Sequence, residues 1–156
     1  MNRSDEAKLI RKAARGDRRA AEHFVRAHQH GLYAYLYRLS GKAQLSEDLV
    51  QDAFVRALTN LDRFDPRFRF STWLFTIAKR LYLNSIQKMS PTLNSEAVNA
   101  TPGTPVRTPD TESEGLVRDD LQRAMMTLAP EQREVLILFH QQDWPIWLIA
   151  EHLEMP

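Results

Sequence analysis

Apolar positions recur at helical spacing along most of this 156-residue chain. Leu9, Ile10, Ala13 and Ala14 share one face of a first predicted helix, which Ser4 can cap and Gly16-Asp17 breaks. Asp17 opens a longer segment. Ala21, Phe24, Val25, His28, Leu32, Tyr35, Leu36 and Leu39 line it, and Ser40-Gly41 ends it. The third predicted helix is two-sided. Ser46 is its expected N-cap, and Glu47 and Asp48 suit the positive helix end. At about 100° per residue, Leu49, Val50, Ala53, Phe54 and Ala57 fall on one side. Asp48, Gln51, Asp52, Val55 and Arg56 fall on the other. A turn over Asp62–Arg69, holding Asp65-Pro66, precedes a fourth helix. Ser71 is its expected cap, Trp73, Leu74, Ile77, Ala78 and Leu81 form its stripe, and it fades near Lys88.

The pattern then stops. Residues 89–114 carry four of the eight prolines, many Ser and Thr, and no apolar period, so too little can be buried there to offset chain entropy. Order is expected to resume at Leu116, with Val117, Leu121, Ala124, Met125 and Leu128 on one face. Pro130 suits the first turn of another helix, with Val135, Leu136, Leu138 and Phe139 inside it. A turn at Gln142-Asp143 and a brief helix from Pro145 to about Leu153 follow. The expected fold is all-α. An N-terminal bundle of about four helices spans 1–88, a flexible linker 89–114, and a small helical domain 115–156.

Charge sharpens this picture. Residues 1–90 hold 17 Lys and Arg against 9 Asp and Glu, a balance of +8, while residues 91–156 hold 4 against 11, a balance of −7. Such asymmetry points the first part toward a polyanion, nucleic acid being the commonest. There is no cysteine, which excludes a disulfide scaffold, a cysteine zinc site and a thiol nucleophile. No apolar run approaches the ~20 residues of a membrane span, and the N-terminus lacks a signal-peptide core, so a cytoplasmic protein is expected. The chain has no glycine-rich phosphate loop and no nucleophile elbow. His28 and His30, two apart on a helix, point different ways. No enzyme activity, metal or cofactor is expected.

Three constellations remain. In Arg63–Tyr82, RFDPRFRFSTWLFTIAKRLY, aromatic residues interleave with Arg63, Arg67, Arg69, Lys79 and Arg80. Cations hold phosphates, and aromatic faces accept unstacked bases, so this mixture suits single-stranded nucleic acid and implies strand opening. Arg67, Phe68 and Arg69, in or beside a Pro-containing loop, are the leading contacts, with Ser71 and Trp73 next to them. Second, the polar face Asp48, Gln51, Asp52, Val55 and Arg56 offers a surface on which another helical element can pack. Third, LAPEQREVLILFHQQDWPIWLIAEHLEMP reads as the opening of a helix-turn-helix, whose recognition helix would begin after Pro156.

The ordered series Gly16-Asp17 with AAEHFVRAH, then LYAYLYRLSG, SEDLVQDAFVRAL, FRFSTWLFTIAKR and LAPEQREVLILFH…IAEHL resembles the sigma-70 family. Specifically, it is similar to the extracytoplasmic-function (ECF) group of bacterial RNA polymerase sigma factors, over nearly the whole chain. The resemblance implies a noncatalytic subunit that gives core RNA polymerase its promoter specificity. Asp48 to Phe54 is similar to the segment that docks on the clamp helices of the polymerase's largest subunit, with Asp48, Gln51 and Asp52 foremost. Asp65–Ser71 and the following helix are similar to the element that captures and melts the minus-ten region of promoter DNA. Many members are held by an anti-sigma factor.

Departures accompany the likeness. Members often carry Asn where this chain has Arg80 and Asp where it has Asn84. Trp144, Pro145, Ile146 and Trp147 replace a more polar stretch, which implies burial or an unusual interface. The C-terminal helix-turn-helix is read as truncated. The alternative is therefore a shortened sigma-like protein that binds core polymerase or an anti-sigma factor without directing initiation. A helical nucleic-acid module unrelated to polymerase is a third, weaker reading.

Overall fold

The computed structural model describes residues 1–89 and 112–154, and side chains over 1–88 and 119–154. Among the described residues, all regular structure is helical. The helices are α1 (Arg3–Ala14), α2 (Arg18–Ser40), α3 (Ala43–Thr59), α4 (Phe70–Met89), α5 (Glu112–Met126), α6 (Pro130–Leu136) and α7 (Ile146–Glu154). A single 3₁₀ turn, Leu61–Arg63, sits between α3 and α4. Most of the expected linker, and the side chains of Leu116 and Val117, lie outside the described residues.

The helix boundaries follow local chemistry, with three corrections. Asp17 caps α2, its carboxylate accepting the Arg19 and Ala20 N–H groups. Gly41 ends α2 at φ +71°, a left-handed conformation in which glycine carries no Cβ penalty. The cap of α1 is Asn2, not Ser4: its Oδ1 accepts the Asp5 N–H at 2.8 Å. Ser46 is not the cap of α3, which begins three residues earlier. Its buried hydroxyl instead donates to the Lys42 carbonyl at 2.6 Å and meets Ser40 Oγ. Ser71 already lies inside α4, whose first N–H, that of Phe70, is accepted by Glu6 Oε1 of α1 at 2.8 Å. A carboxylate from another helix caps α4.

α2 runs through the centre, and α1, α3, α4 and the C-terminal segment all pack on it. Phe24, Leu32, Tyr35, Leu36 and Leu39 of α2 are buried with Leu49, Ala53, Phe54 and Ala57 of α3 and Phe70, Leu74, Phe75 and Ala78 of α4. The same core continues into Met125, Ile137, Leu138, Trp144, Leu148 and Ile149.

The C-terminal segment differs from the pattern read in the sequence. Leu121, Ala124, Val135, Leu136 and Phe139 are exposed. Leu138 is buried as expected, and Arg133, Glu134 and Ile137 are buried in place of the others. The Arg133 guanidinium reaches the Leu39 carbonyl at the end of α2 (2.6 Å), and Glu134 meets partners described below. Those bonds let two charged side chains go inside. After α6 the helix widens, the Gln142 N–H reaching the Ile137 carbonyl five residues back. Asp143 (φ 53°) then turns the chain into α7. Trp144 is buried against Phe75, centroids 4.8 Å apart, whereas Ile146 and Trp147 are exposed. Ile149 is buried as well, whereas Leu153 is exposed.

Candidate nucleic-acid interface and docking face

The bend between α3 and α4 is built on an aromatic base. Phe70 is fully buried, and its ring packs on Phe24 (4.3 Å between centroids), His28 (5.5 Å), Trp73 (6.1 Å) and Phe64 (6.4 Å). Phe64 and Trp73 meet edge-on at 5.3 Å, and both are half-buried. Each therefore shows part of a ring to solvent above a rigid core. His28 is held low, to about 4, by burial first and then by the positive charges of His23 and Arg69, so its ring is neutral over Phe70.

Above this base, Asp65 shapes the loop. Its carboxylate accepts the Arg67 backbone N–H at 3.0 Å and the Arg67 guanidinium at 2.7 Å, and the Phe68 N–H closes the turn on the Asp65 carbonyl. Hydrogen bonds from Arg67 hold the Asp65 carboxyl below its ordinary range. The Arg67 side chain is nonetheless 82% exposed, and its guanidinium carbon lies 6.0 Å from the centroid of half-buried Phe68. Arg69 is tethered: it pairs with Glu6 Oε2 at 3.2 Å and donates to the Met1 carbonyl at 3.1 Å. Glu6 thus fixes both the start of α4 and the last arginine of the bend. Nothing local in the sequence marks it.

The expected contacts separate by helix face. Arg63, Arg67, Phe68, Arg69, Ser71 and Trp73 lie in the bend and the first turn of α4. Arg80, seven residues beyond Trp73, falls on the same face and is exposed. Lys79 falls on the Thr72–Thr76 face instead, under the C-terminal segment. There its ammonium pairs with Glu134 at 3.0 Å.

The α3 face is as the sequence implies. Asp48, Gln51, Asp52, Val55 and Arg56 are all exposed, opposite a buried stripe. Val55, 61% exposed, places an apolar spot among charges. Gln44 donates to Asp48 at 3.1 Å along the same surface. Two patches of different character therefore flank the 3₁₀ turn: acidic and polar on α3, basic and aromatic at the bend. No group of three or more metal-ligating side chains occurs among the described residues, and none of their helices is long and apolar enough to cross a membrane.

Comparison with known proteins places this geometry in context. Residues 24–91 match Sigma-70 region 2. The chain is 29% identical over 160 residues to the ECF RNA polymerase sigma factor SigW of Bacillus subtilis, covering 96% of this chain and 85% of that protein. It is 32% identical over 107 residues to the ECF RNA polymerase sigma factor EcfG of Rhodopseudomonas palustris, covering 69% and 58%. Two solved structures share the fold. CnrH, in complex with the cytosolic domain of CnrY, superposes with a TM-score of 0.70 at 24% identity, over 97% of this chain and 84% of that one. The sigma factor RpoE of Bartonella quintana, in complex with the anti-sigma factor NepR, gives 0.70 at 23% identity, over 85% and 81%.

Proposed function

This chain belongs to the sigma-70 family, in its ECF group, and on that premise we propose that it docks on core RNA polymerase, recognises promoter DNA and opens the strands at initiation. Residues 1–88 are the docking and minus-ten unit, and residues 115–156 belong to the domain that carries the helix-turn-helix. Asp48, Gln51, Asp52, Val55 and Arg56 meet the clamp helices of the largest subunit. Arg63, Arg67 and Arg80 draw in phosphates, with Arg69 and Ser71 beside them, while Lys79, also expected from the sequence to touch DNA, is paired with Glu134 on another face of α4. Phe68 and Trp73 hold a base drawn from the stack. The observation that carries this reading is the half-buried Phe64–Trp73 pair on the buried Phe70 ring, with Arg67 exposed in the same bend. A ring surface held open in this way receives an unstacked base at no ordering cost of its own. The nucleotidyl-transfer chemistry belongs to the polymerase. An anti-sigma factor is a further partner, in keeping with the NepR complex of RpoE. The chain acts where the polymerase is, in the cytoplasm.

Run-off transcription with core enzyme tests the proposal. Promoter-dependent initiation supports it, and core binding without initiation favours an interaction protein instead. Asp52→Arg on the exposed α3 face is expected to abolish core binding in a fluorescence titration while the circular dichroism spectrum stays unchanged. Unaltered affinity counts against the docking assignment.

A further inference from the structure

The start of α4 lacks the residue that usually secures a helix. Arg69 stands just before its first turn, and the Arg69 carbonyl accepts the Trp73 N–H at 3.2 Å. An arginine side chain carries donors and no acceptor, so it cannot take up the open N–H groups of the helix. A guanidinium and the positive end of a helix meet there instead. The acceptor comes from α1. Glu6 is buried, 64 positions before Phe70, and both of its carboxylate oxygens are engaged. Oε1 accepts the Phe70 N–H at 2.8 Å, and Oε2 pairs with the Arg69 guanidinium at 3.2 Å. That guanidinium also donates to the Met1 carbonyl at 3.1 Å, which leaves the Arg69 side chain only 25% exposed. Glu6 is itself held in α1: its N–H donates to the Asn2 carbonyl at 3.1 Å, and Ile10, one turn on, is buried in the core.

We propose that Glu6 is a positioning residue for the base held at the bend. The proposal rests on the reading that Phe68 and Trp73 receive an unstacked base. The Phe70 N–H and the Arg69 carbonyl are the two ends of one planar peptide group. Glu6 holds the N–H end, and the carbonyl end receives the Trp73 N–H. Fixing the plane therefore fixes where the first turn of α4 closes and where the Trp73 ring stands against Phe64 and Phe70. A Ser or Asp before the helix would satisfy its N–H groups locally. A carboxylate from α1 does more, because it ties the orientation of the bend to a separate helix. It also turns the Arg69 charge inward, so Arg69 acts through the shape of the bend while Arg67, 82% exposed, faces solvent.

The probe is a fluorescein-labelled oligothymidylate, titrated by anisotropy against the full chain over a range of salt. Each variant is first shown to be folded by circular dichroism. Affinities are compared at the high-salt end, where phosphate attraction has fallen away and stacking remains. Trp73→Ala is expected to weaken binding there by the loss of one stacked base, about 5- to 150-fold. Glu6→Ala gives part of the same loss. Added to Trp73→Ala it gives no further loss, because it acts through that ring. Glu6→Gln keeps an oxygen for the Phe70 N–H and retains the affinity of the unaltered protein. Asp5→Asn, the same loss of charge at an exposed neighbour in α1, leaves affinity unchanged. Glu6→Asp, shorter by one methylene, shows the loss in smaller measure and serves if Glu6→Ala does not fold. A role in stability alone leaves the affinity of every folded Glu6 variant unchanged. That result, or an equal Glu6→Ala loss with and without the Trp73 ring, overturns the positioning role and leaves base capture standing. Unchanged affinity in Trp73→Ala, or absence of binding by the unaltered protein, overturns base capture and the positioning role with it.

Discussion

His28 gives the fold beneath the bend a pH dependence that can be measured. Its ring lies over Phe70, and burial together with His23 and Arg69 lowers its pKa from 6.5 to about 4. The unfolded chain takes up a proton near 6.5, and the folded chain resists it until about 4. The folded state therefore keeps its full advantage above the unfolded value and loses it as pH falls through that interval. Linkage puts the loss at about 2 kcal/mol between about pH 7 and about pH 5, tending to about 3 kcal/mol at lower pH. For a chain of this size that is about 4–8 °C in Tm over the first interval. Burial opposes ionisation of Glu134, but the His152 hydrogen bond and charge and those of Lys79 outweigh it and set its pKa below the usual 4.5. Its contribution is lost as pH falls from about 4.5 downward, so it changes little between about pH 7 and about pH 5, where the His28 effect is read. The assay is urea unfolding followed by circular dichroism at both pH values, for the unaltered protein and for His28→Gln. The variant is expected to lose about 2 kcal/mol less on acidification. An equal loss in both proteins refutes the argument.

Other expectations follow from the same packing. Phe70→Ala removes the ring that Phe24, His28, Phe64 and Trp73 share and is expected to cost about 3–5 kcal/mol in urea unfolding. Glu6→Ala removes the cap of α4 and the partner of Arg69, at a cost of about 1–3 kcal/mol by the same measurement. Trp73→Ala is expected to slow strand opening, read by permanganate footprinting with core polymerase, while core affinity is unchanged.

Much of the N-terminal half was legible because its determinants are local. Asp17 and Gly41 mark the ends of α2 by their own chemistry, and the two faces of α3 follow from period alone. The caps at Ser4, Ser46 and Ser71 misled for a related reason. Each is a residue that can cap, but Asn2, an earlier start and the distant Glu6 do so or remove the need. The buried register of α6 was not legible. Glu134 can go inside only because Tyr35, 99 positions away, and Lys79 receive it, and Arg133 because the Leu39 carbonyl, 94 positions away, accepts its bond. A hydrophobicity pattern scores both charges as surface and places Val135 and Phe139 inside. The site shows the same division. The bend and the α3 face were read from residue type and spacing, whereas the tethering of Arg69 and Lys79 depends on carboxylates contributed by other helices.

The most direct measurement places a photoactivatable phenylalanine analogue at position 68 and irradiates the complex of this chain, core polymerase and the promoter mapped by run-off transcription. The account predicts that the crosslink joins the bend to the unpaired non-template strand, and that it fades when Trp73 is replaced by Ala. A stable open complex in which the bend crosslinks to no strand contradicts it.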